Sequence, residues 1–542
     1  MANVTFSRRE FESEIKITKE IEEKINLLGT PLESISEKEI EIEVFPNRPD
    51  IYTLQGYLRA FKAFIGKDKG LKKYLVNKPE KNYYVNVDKS VKDVRPFTAC
   101  AIVKSVSLDD ERIKELMNAQ EKLATTMGRN RKKMGIGIYP LDKISLPITY
   151  TANESKDINY KALGMPQESS AEEILLLHPT GRKYAHLLQN SKKYPVFIDS
   201  SKKILSMPPI INSEETGRIT PETKDVFIEC TGTDKKAVDR ALIIIATTLA
   251  DMNGKIYQME IRDKEKYNTP DLSSQKIKIS IENTKKLIGI EVTEKQIEDL
   301  LSRMGHSYKN GTVEIGAWRS DIMHEVDLIE DVAIAYGYNN LIPSIPTIST
   351  IGEESRESIL KRKVSQIFAD IGFNEISTYH LVKKEELDLY GIKDSIELTD
   401  SKTEYKSLRP NLLIPMLRIL AENKDVEYPQ RVCEIGKVFA KNIQKESGIE
   451  ETEKLIIGIS PSNVTEIKQQ IDYLFRKLNL EYSIKESTHY NLIEGRTASV
   501  ILNNKTIGYF GEVHPNCLKK AGMKMPLSIA EISLEEIYKT IS

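Results

Sequence analysis

The chain has 542 residues, of which 40% are hydrophobic and 29% charged, and a formal net charge of -1. At roughly 100–200 residues per domain, that length suggests three to five domains with several apolar cores. A balance so close to neutral excludes a global electrostatic grip on nucleic acid and leaves only local basic patches for that purpose.

The four cysteines, Cys100, Cys230, Cys433 and Cys517, form no C-x-x-C pair. That spacing argues against a zinc ribbon and a disulfide framework, and fits a reducing, cytoplasmic compartment. The first ten residues contain no apolar signal region. The longest apolar stretch, 241–250, is about half a membrane span and reads as a buried helix, so a soluble protein without a membrane role is expected.

In chain order, residues 4–6 alternate like a strand and 11–28 read as helix. Residues 40–45 form a period-two strand that ends in the turn Pro46-Asn47-Arg48-Pro49-Asp50, after which helix resumes from Leu54 to Ile65. A basic loop at 128–133 precedes a buried strand at 134–139. A second strand at 225–230 leads into a helix over 235–252, because Val238, Leu242, Ile245 and Leu249 recur at helical spacing. Further on, 275–281 alternates as a strand, Thr293 and Gln296 form a capping box, and Gly305 suits a helix C-terminus. A short strand at 312–315 and Trp318-Arg319-Ser320-Asp321 lead into another helix. Residues 343–355 read as a linker before a helix at 359–371, and the remainder as strands with short helices.

Three constellations carry candidate chemistry. Asp327, Glu330 and Asp331 stand at i, i+3 and i+4 on one helical face, with Asp321 expected at the helix start. Such like charges repel unless something neutralises them: a hard divalent cation with oxygen ligands, or nearby lysines on a solvated face. Ile322, Val326, Ile329, Ala333 and Tyr336 form the stripe expected to pin that helix to a core. In the basic loop, Arg129, Arg131, Lys132 and Lys133 can grip phosphates, and Gly135-Ile136-Gly137 beside it permits close approach of a ligand or backbone. Glu229 interrupts an apolar strand, where a carboxylate is either a hydrogen-bonded structural group or a polar reader inside a pocket. The sequence has no phosphate-binding G-x-x-x-x-G-K-[ST] loop, no H-E-x-x-H and no G-x-S-x-G.

Four separated regions together resemble one family. Asn47-Arg48-Pro49-Asp50 with Gly56 is similar to a segment near the start of phenylalanyl-tRNA synthetase β chains. The run 128–133 through Leu141-Asp142-Lys143-Ile144 resembles the editing-domain loop of their archaeal and eukaryotic branch. Trp318-Arg319-Ser320-Asp321 through Glu330-Asp331-Val332-Ala333 and Tyr336-Gly337-Tyr338 resembles their small winged-helix-like domain. Leu408-Arg409-Pro410-Asn411, Cys433-Glu434-Ile435-Gly436, Glu494-Gly495-Arg496 and 508–515 resemble their degenerate catalytic-like domain.

The resemblance implies a multidomain α/β (α+β) protein. Its parts would be an N-terminal α/β domain at 1–90, an editing domain at 91–270, a winged-helix-like domain at 271–348 and a class II synthetase-like antiparallel sheet at 349–542. It implies a class II phenylalanine–tRNA ligase heterotetramer, α2β2, in which the α chain uses ATP and phenylalanine. The β chain would contact tRNA(Phe) and hydrolyse tyrosyl-tRNA. The implied Mg2+ ligands are Asp321, Asp327, Glu330 and Asp331. The implied editing pocket holds Glu229 with Thr125, Thr126, Asn212 and Gly217, and the basic loop would touch tRNA. The stretch 508–514 lacks the arginine a working class II site needs for ATP phosphates. Relatives often carry His where Ala124 stands and Asp where Pro140 stands, which keeps open a scaffold role without editing. DNA binding is disfavoured, since the net charge of -1 and the acidic helix would repel a duplex.

Overall fold

The structure, a computed structural model, describes residues 2–541 apart from 190 and 348. It is a mixed α/β protein with several sheets and two compact units, Met1–Ser344 and Ile345–Ser542.

The first unit begins with a small antiparallel sheet in which Glu39–Val44 lies between Ala2–Ser7 and Leu32–Ile35. The helical stretch expected over 11–28 is two helices, Arg8–Glu14 and Lys19–Leu27. Ile15 is extended and buried between them, and the Thr18 side chain caps the second helix by accepting from Ile21 N at 3.3 Å. The β-branched run Ile15, Ile17, Thr18 favours that break. Pro49–Ile51 forms one 3-10 turn, and Thr53 caps the helix Leu54–Phe64 through Gly56 N at 3.0 Å. That helix stacks Tyr57 and Phe61 on Phe6 and Phe11.

The largest sheet has 11 strands. The short strands Val76–Asn77 and Tyr84–Val87 belong to it, so a segment boundary near 90 falls after two of its own strands. Next to one edge of it, Val226–Gly232 runs antiparallel to Phe97–Lys104 on one side and to the edge strand Met134–Pro140 on the other. Strand alternation sends Val226, Ile228 and Cys230 into one core, under the buried helix Lys235–Asp251. Phe227 turns to the opposite core with Tyr139 and Cys100. All four cysteines are free and buried.

The last part of this unit is a three-stranded sheet with three helices, Ile281–Ile288, Glu294–Arg303 and Glu325–Tyr336. Thr293 and Gln296 make the expected capping box, and Gly305 follows that helix at φ +77°. The third helix starts four residues later than Asp321. Its N-cap is His324, and Asp327 closes the capping box by accepting from His324 N at 2.8 Å. Of the expected stripe, Ile322, Ile329 and Ala333 are buried and Tyr336 packs against the core, with Leu328, Val332 and Ala335 buried beside them, while Val326 is half exposed.

The second unit is a seven-stranded sheet, antiparallel except where Asn374–Glu375 joins its edge. The helices Arg356–Ala369 and Val464–Lys477 cover one face, and Leu413–Glu422 covers the other. Arg409 crosses this fold fully buried. It donates to Glu434 Oε1 at 2.7 Å, Thr378 Oγ1 at 2.6 Å and the Lys437 carbonyl at 2.8 Å. A Cβ at Gly436 would collide with the Arg409 guanidinium, which accounts for glycine two residues after Glu434. Replacing Arg409 alone with Met strands the Glu434 charge and is expected to cost about 3–5 kcal/mol in urea unfolding; changing both residues to apolar ones should cost much less.

Candidate functional site: a cavity over a buried glutamate

Strand register sets the central geometry of the first unit. Glu229 lies opposite Cys100 on one neighbouring strand and Gly137 on the other. It therefore shares the Phe227 face of the sheet, away from the helix Lys235–Asp251. There it meets a cavity of about 640 Å³ whose walls include Ile136, Ile138, Pro209, Ile211, Asn212 and Gly217. The walls are mainly apolar with a few convergent polar groups, the usual composition of a small-molecule site.

Glu229 is 3% exposed. Its Oε1 accepts from the Tyr139 hydroxyl at 3.1 Å, and that hydroxyl is also 3.2 Å from Asn212 Oδ1. Its Oε2 is buried without a hydrogen-bond partner. Burial pushes the carboxyl up to about 7, against the lowering effects of the Tyr139 hydrogen bond and the Arg95 charge. A Cβ on Gly137 would stand 2.6 Å from Glu229 Oε1 and 2.5 Å from the Tyr139 oxygen. The glycine is what lets both polar groups occupy that space. Gly217 is needed likewise, since a Cβ there would lie 2.6 Å from Asn212 Cβ.

The structure thus brings Glu229, Asn212 and Gly217 together. Thr125 and Thr126 lie nearby but off the cavity wall. Their hydroxyls donate to carbonyls of their own helix, Thr125 to Glu121 at 2.8 Å and Thr126 to Lys122 at 2.6 Å, and Ala124 takes the wall position. Tyr139 and Arg95 were not legible as site residues. Arg95, 3% exposed, binds Thr231 Oγ1 at 3.0 Å and the Thr231 carbonyl at 2.8 Å, which ties it to the strand that carries Glu229.

The basic loop divides in two. Arg129, Asn130 and Arg131 occupy left-handed backbone conformations in succession, at φ +47°, +54° and +63°. The resulting turn sends Arg131 inward, where it donates to the carbonyls of Pro209 and Ile210 at 3.0 and 2.9 Å and to Glu121 Oε2 at 2.8 Å. Lys133 pairs with Asp234 at 2.9 Å. Arg129 and Lys132 are exposed and remain available to an outside anion.

The acidic set is also divided. Arg319 lies between Asp321 and Asp331, 2.7 Å from Asp321 Oδ2 and 2.9 Å from Asp331 Oδ2. His306 donates to Asp331 from its other side at 2.7 Å. Burial opposes ionisation of Asp331, but the Arg319 charge and His306 hydrogen bond outweigh it and hold the carboxyl at about 2. Asp327 Oδ2 is occupied by the amides of Met323 and His324, both at 2.8 Å. Glu330 reaches solvent, its carboxyl raised by partial burial and by the charges of Asp331 and Asp327. Among the described residues no group of three or more His, Cys, Asp or Glu could hold a metal ion. The four carboxylates as placed do not fit Mg2+, because Arg319 holds Asp321 and Asp331, backbone amides occupy Asp327, and Glu330 alone is left facing solvent.

Comparisons with known proteins agree with this architecture. Residues 277–338 match the family model of the tRNA synthetase B5 domain, and 342–534 that of the phenylalanyl tRNA synthetase beta chain CLM domain. These matches make the chain an aminoacyl-tRNA synthetase component. A phenylalanine–tRNA ligase beta subunit of Thermococcus sibiricus is 36% identical over 504 residues, covering 91% of this chain and 90% of the relative. The Archaeoglobus fulgidus beta subunit is 36% identical over 529 residues, covering 95% of each. A crystal structure of an N-terminal fragment of the Pyrococcus horikoshii phenylalanyl-tRNA synthetase beta subunit aligns with TM-score 0.60 and 38% identity, covering 62% of this chain and all of the fragment. The chain belongs to the phenylalanine–tRNA ligase beta subunit family.

Two outcomes follow from the charge arrangement. Arg319→Met leaves two carboxylates without their partner and should lower stability by about 3–5 kcal/mol, while a divalent-metal chelator should leave the melting temperature of the unmodified chain unchanged. For Glu229 the folded-state value of about 7 lies above the ordinary 4.5, so its contribution to stability is complete below 4.5 and is lost as pH rises through 7. Glu229→Gln should therefore be more stable than the native chain by up to about 3 kcal/mol near pH 8 and lose that advantage in acid, as read by thermal melts across pH.

Proposed function

We propose that this beta chain hydrolyses tyrosine wrongly esterified to tRNA(Phe), in the cavity over Glu229. Ligation itself (ATP, L-phenylalanine and tRNA(Phe) giving phenylalanyl-tRNA, AMP and diphosphate) takes place on an α chain within an α2β2 assembly in the cytoplasm, and ATP with its Mg2+ belongs there. The observation that carries the reading is Glu229 Oε2, a buried oxygen without a partner on the wall of a mainly apolar cavity. An aromatic side chain fits such walls. A tyrosine hydroxyl reaching Glu229 supplies the missing donor, and phenylalanine cannot. Recognition of this kind discriminates strongly, because the wrong ligand leaves a buried polar group unpaired.

The hydrolysis itself needs water to attack the ester carbonyl, releasing tyrosine and the free ribose hydroxyl. Glu229 positions the side chain and is not assigned the proton transfer. Exposed Arg129 and Lys132 provide phosphate contacts for the tRNA end; Arg131 and Lys133 shape the wall and the turn instead. A scaffold role without editing is the weaker reading, since Ala124 removes bulk from the wall and Pro140 lies at the end of its strand, and neither change supplies a partner for Oε2. The second unit supports a bracing role: its large antiparallel sheet fits a class II synthetase-like body, and Arg409 is wholly committed to protein acceptors.

The test compares hydrolysis of tyrosyl- and phenylalanyl-tRNA(Phe) by the assembled enzyme and by its Glu229→Ala variant. The tyrosyl rate should fall about 10- to 100-fold, the phenylalanyl rate hardly at all. Equal losses on both esters, or no tyrosyl hydrolysis by the native enzyme, would remove the proposal.

A further inference from the structure

A second cavity, of about 490 Å³, lies elsewhere in the first unit and has no part in the editing reading. Arg59 and Gln55 line it from the helix Leu54–Phe64, Asp251 from the end of the helix Lys235–Asp251, and Trp318 from the loop that carries Arg319. Its lining holds seven basic side chains, of which all but Arg59 and Lys72 are ion-paired with carboxylates of their own.

Arg59 is the distinctive group. Its side chain is 8% exposed. Its guanidinium carbon lies 4.4 Å from the centre of the Trp318 ring, so stacking fixes the plane of the group. Nη1 is satisfied, by Asp251 Oδ2 and the Tyr74 hydroxyl, each at 2.7 Å. Nε and Nη2 are buried and have no acceptor, and neither has the Gln55 side-chain oxygen a donor. Nε and Nη2 form the side edge of the guanidinium, two parallel N–H groups spaced to meet two oxygens of one anion. Asp251, the carboxylate that holds Arg59, is shared with Lys72 at 2.8 Å, so a single negative charge faces two positive ones.

We propose that this cavity binds a phosphate-type anion, free or carried by a nucleotide, with the Nε/Nη2 edge of Arg59 as its principal anchor and Lys72 at the rim. Two oxygens of the phosphate meet this unpaired edge. The one positive charge left over where Arg59 and Lys72 share Asp251 favours an anion at this point. A hydroxyl of the phosphate-bearing molecule, or the protonated oxygen of the monoanion, gives Gln55 its donor. The volume exceeds that of a bare phosphate and leaves room for a nucleoside. A monocarboxylate satisfies the fork but brings no hydroxyl for the Gln55 oxygen, and so binds more weakly.

Trp318 is the only tryptophan in the chain, so its emission reports directly on this cavity. The experiment titrates the full-length protein with inorganic phosphate, pyrophosphate, AMP and acetate at fixed ionic strength. Equilibrium dialysis gives an independent reading. A saturable change with the phosphate compounds, at least roughly tenfold tighter than with acetate, is expected. AMP binding tighter than phosphate identifies a nucleotide as the source; equal affinities identify the free anion. Arg59→Lys keeps a charge for Asp251 but loses the fork, and should weaken phosphate binding roughly tenfold or more. Lys72→Ala, at an exposed rim position, should weaken it about threefold and reduce its salt dependence, and it decides the matter if Arg59→Lys does not fold. No saturable response to any phosphate compound, acetate binding as tightly as phosphate, or undiminished affinity in the folded variants would each overturn the proposal.

Discussion

A carboxylate removed from water must be paired or protonated, and that constraint organises this molecule. Asp50, Asp331 and Glu434 are almost fully buried, and each is met by an arginine: Arg48 at 2.9 Å, Arg319 at 2.9 Å and Arg409 at 2.7 Å. The first pair closes a single turn before a helix, and the other two tie together segments 12 and 25 residues apart in the chain. Glu229 is the contrast. It is just as deeply buried, its polar neighbours are the hydroxyls of Tyr139 and Ser206, and its Oε2 lacks a well-formed hydrogen bond. Elsewhere Glu531 is met by Lys454 at 2.7 Å, and Glu115, pushed up to about 7 by burial, accepts from the Leu54 amide. An unpaired carboxylate oxygen at the wall of a cavity is what makes Glu229 a candidate binding group.

Sheet geometry delivers that group to its place. The strand Val226–Gly232 has neighbours on both sides, so every second side chain must enter one of two cores. A shift of one residue would bury Glu229 under the helix Lys235–Asp251, where only apolar side chains fit. Gly137 across the ladder completes the arrangement by leaving space for the carboxylate and the Tyr139 hydroxyl together. The site is therefore a product of register and of one absent side chain, on rigid elements.

Much of the architecture was legible in the sequence because periodicity and caps are local. The helix over Lys235–Asp251, the Thr293 capping box and the strand bearing Glu229 all follow from residues within a few positions of one another. The glycines beside the basic loop signalled a close approach, and Gly137 provides one. What local pattern could not show was who neutralises whom. The i, i+3, i+4 spacing of Asp327, Glu330 and Asp331 suggested a cation, but Arg319 folds back from outside the helix and holds Asp331. The helix start moved because His324 and Asp327 satisfy each other's backbone and side-chain groups, which displaced Asp321 from the cap. In the basic loop, composition gave four equivalent cations, and only the left-handed turn decides that Arg131 points inward. Thr125 and Thr126 fell in the right neighbourhood, yet helix carbonyls had first claim on their hydroxyls.

That left-handed turn has a consequence for dynamics. Every amide from Gly128 to Lys133 donates to a backbone carbonyl, and Arg95 holds the carbonyl of Arg131 from below at 3.2 Å. A surface loop rich in charge would ordinarily sample many shapes and lose that freedom on meeting a partner. This one is already frozen, so Arg129 and Lys132 hold their places before any anion arrives. Association there forfeits little backbone entropy, and selectivity comes from fit to a fixed shape more than from adaptation. Amide hydrogen exchange along the loop should then be as slow as in the strand that follows it, a rigidity that composition alone would never suggest.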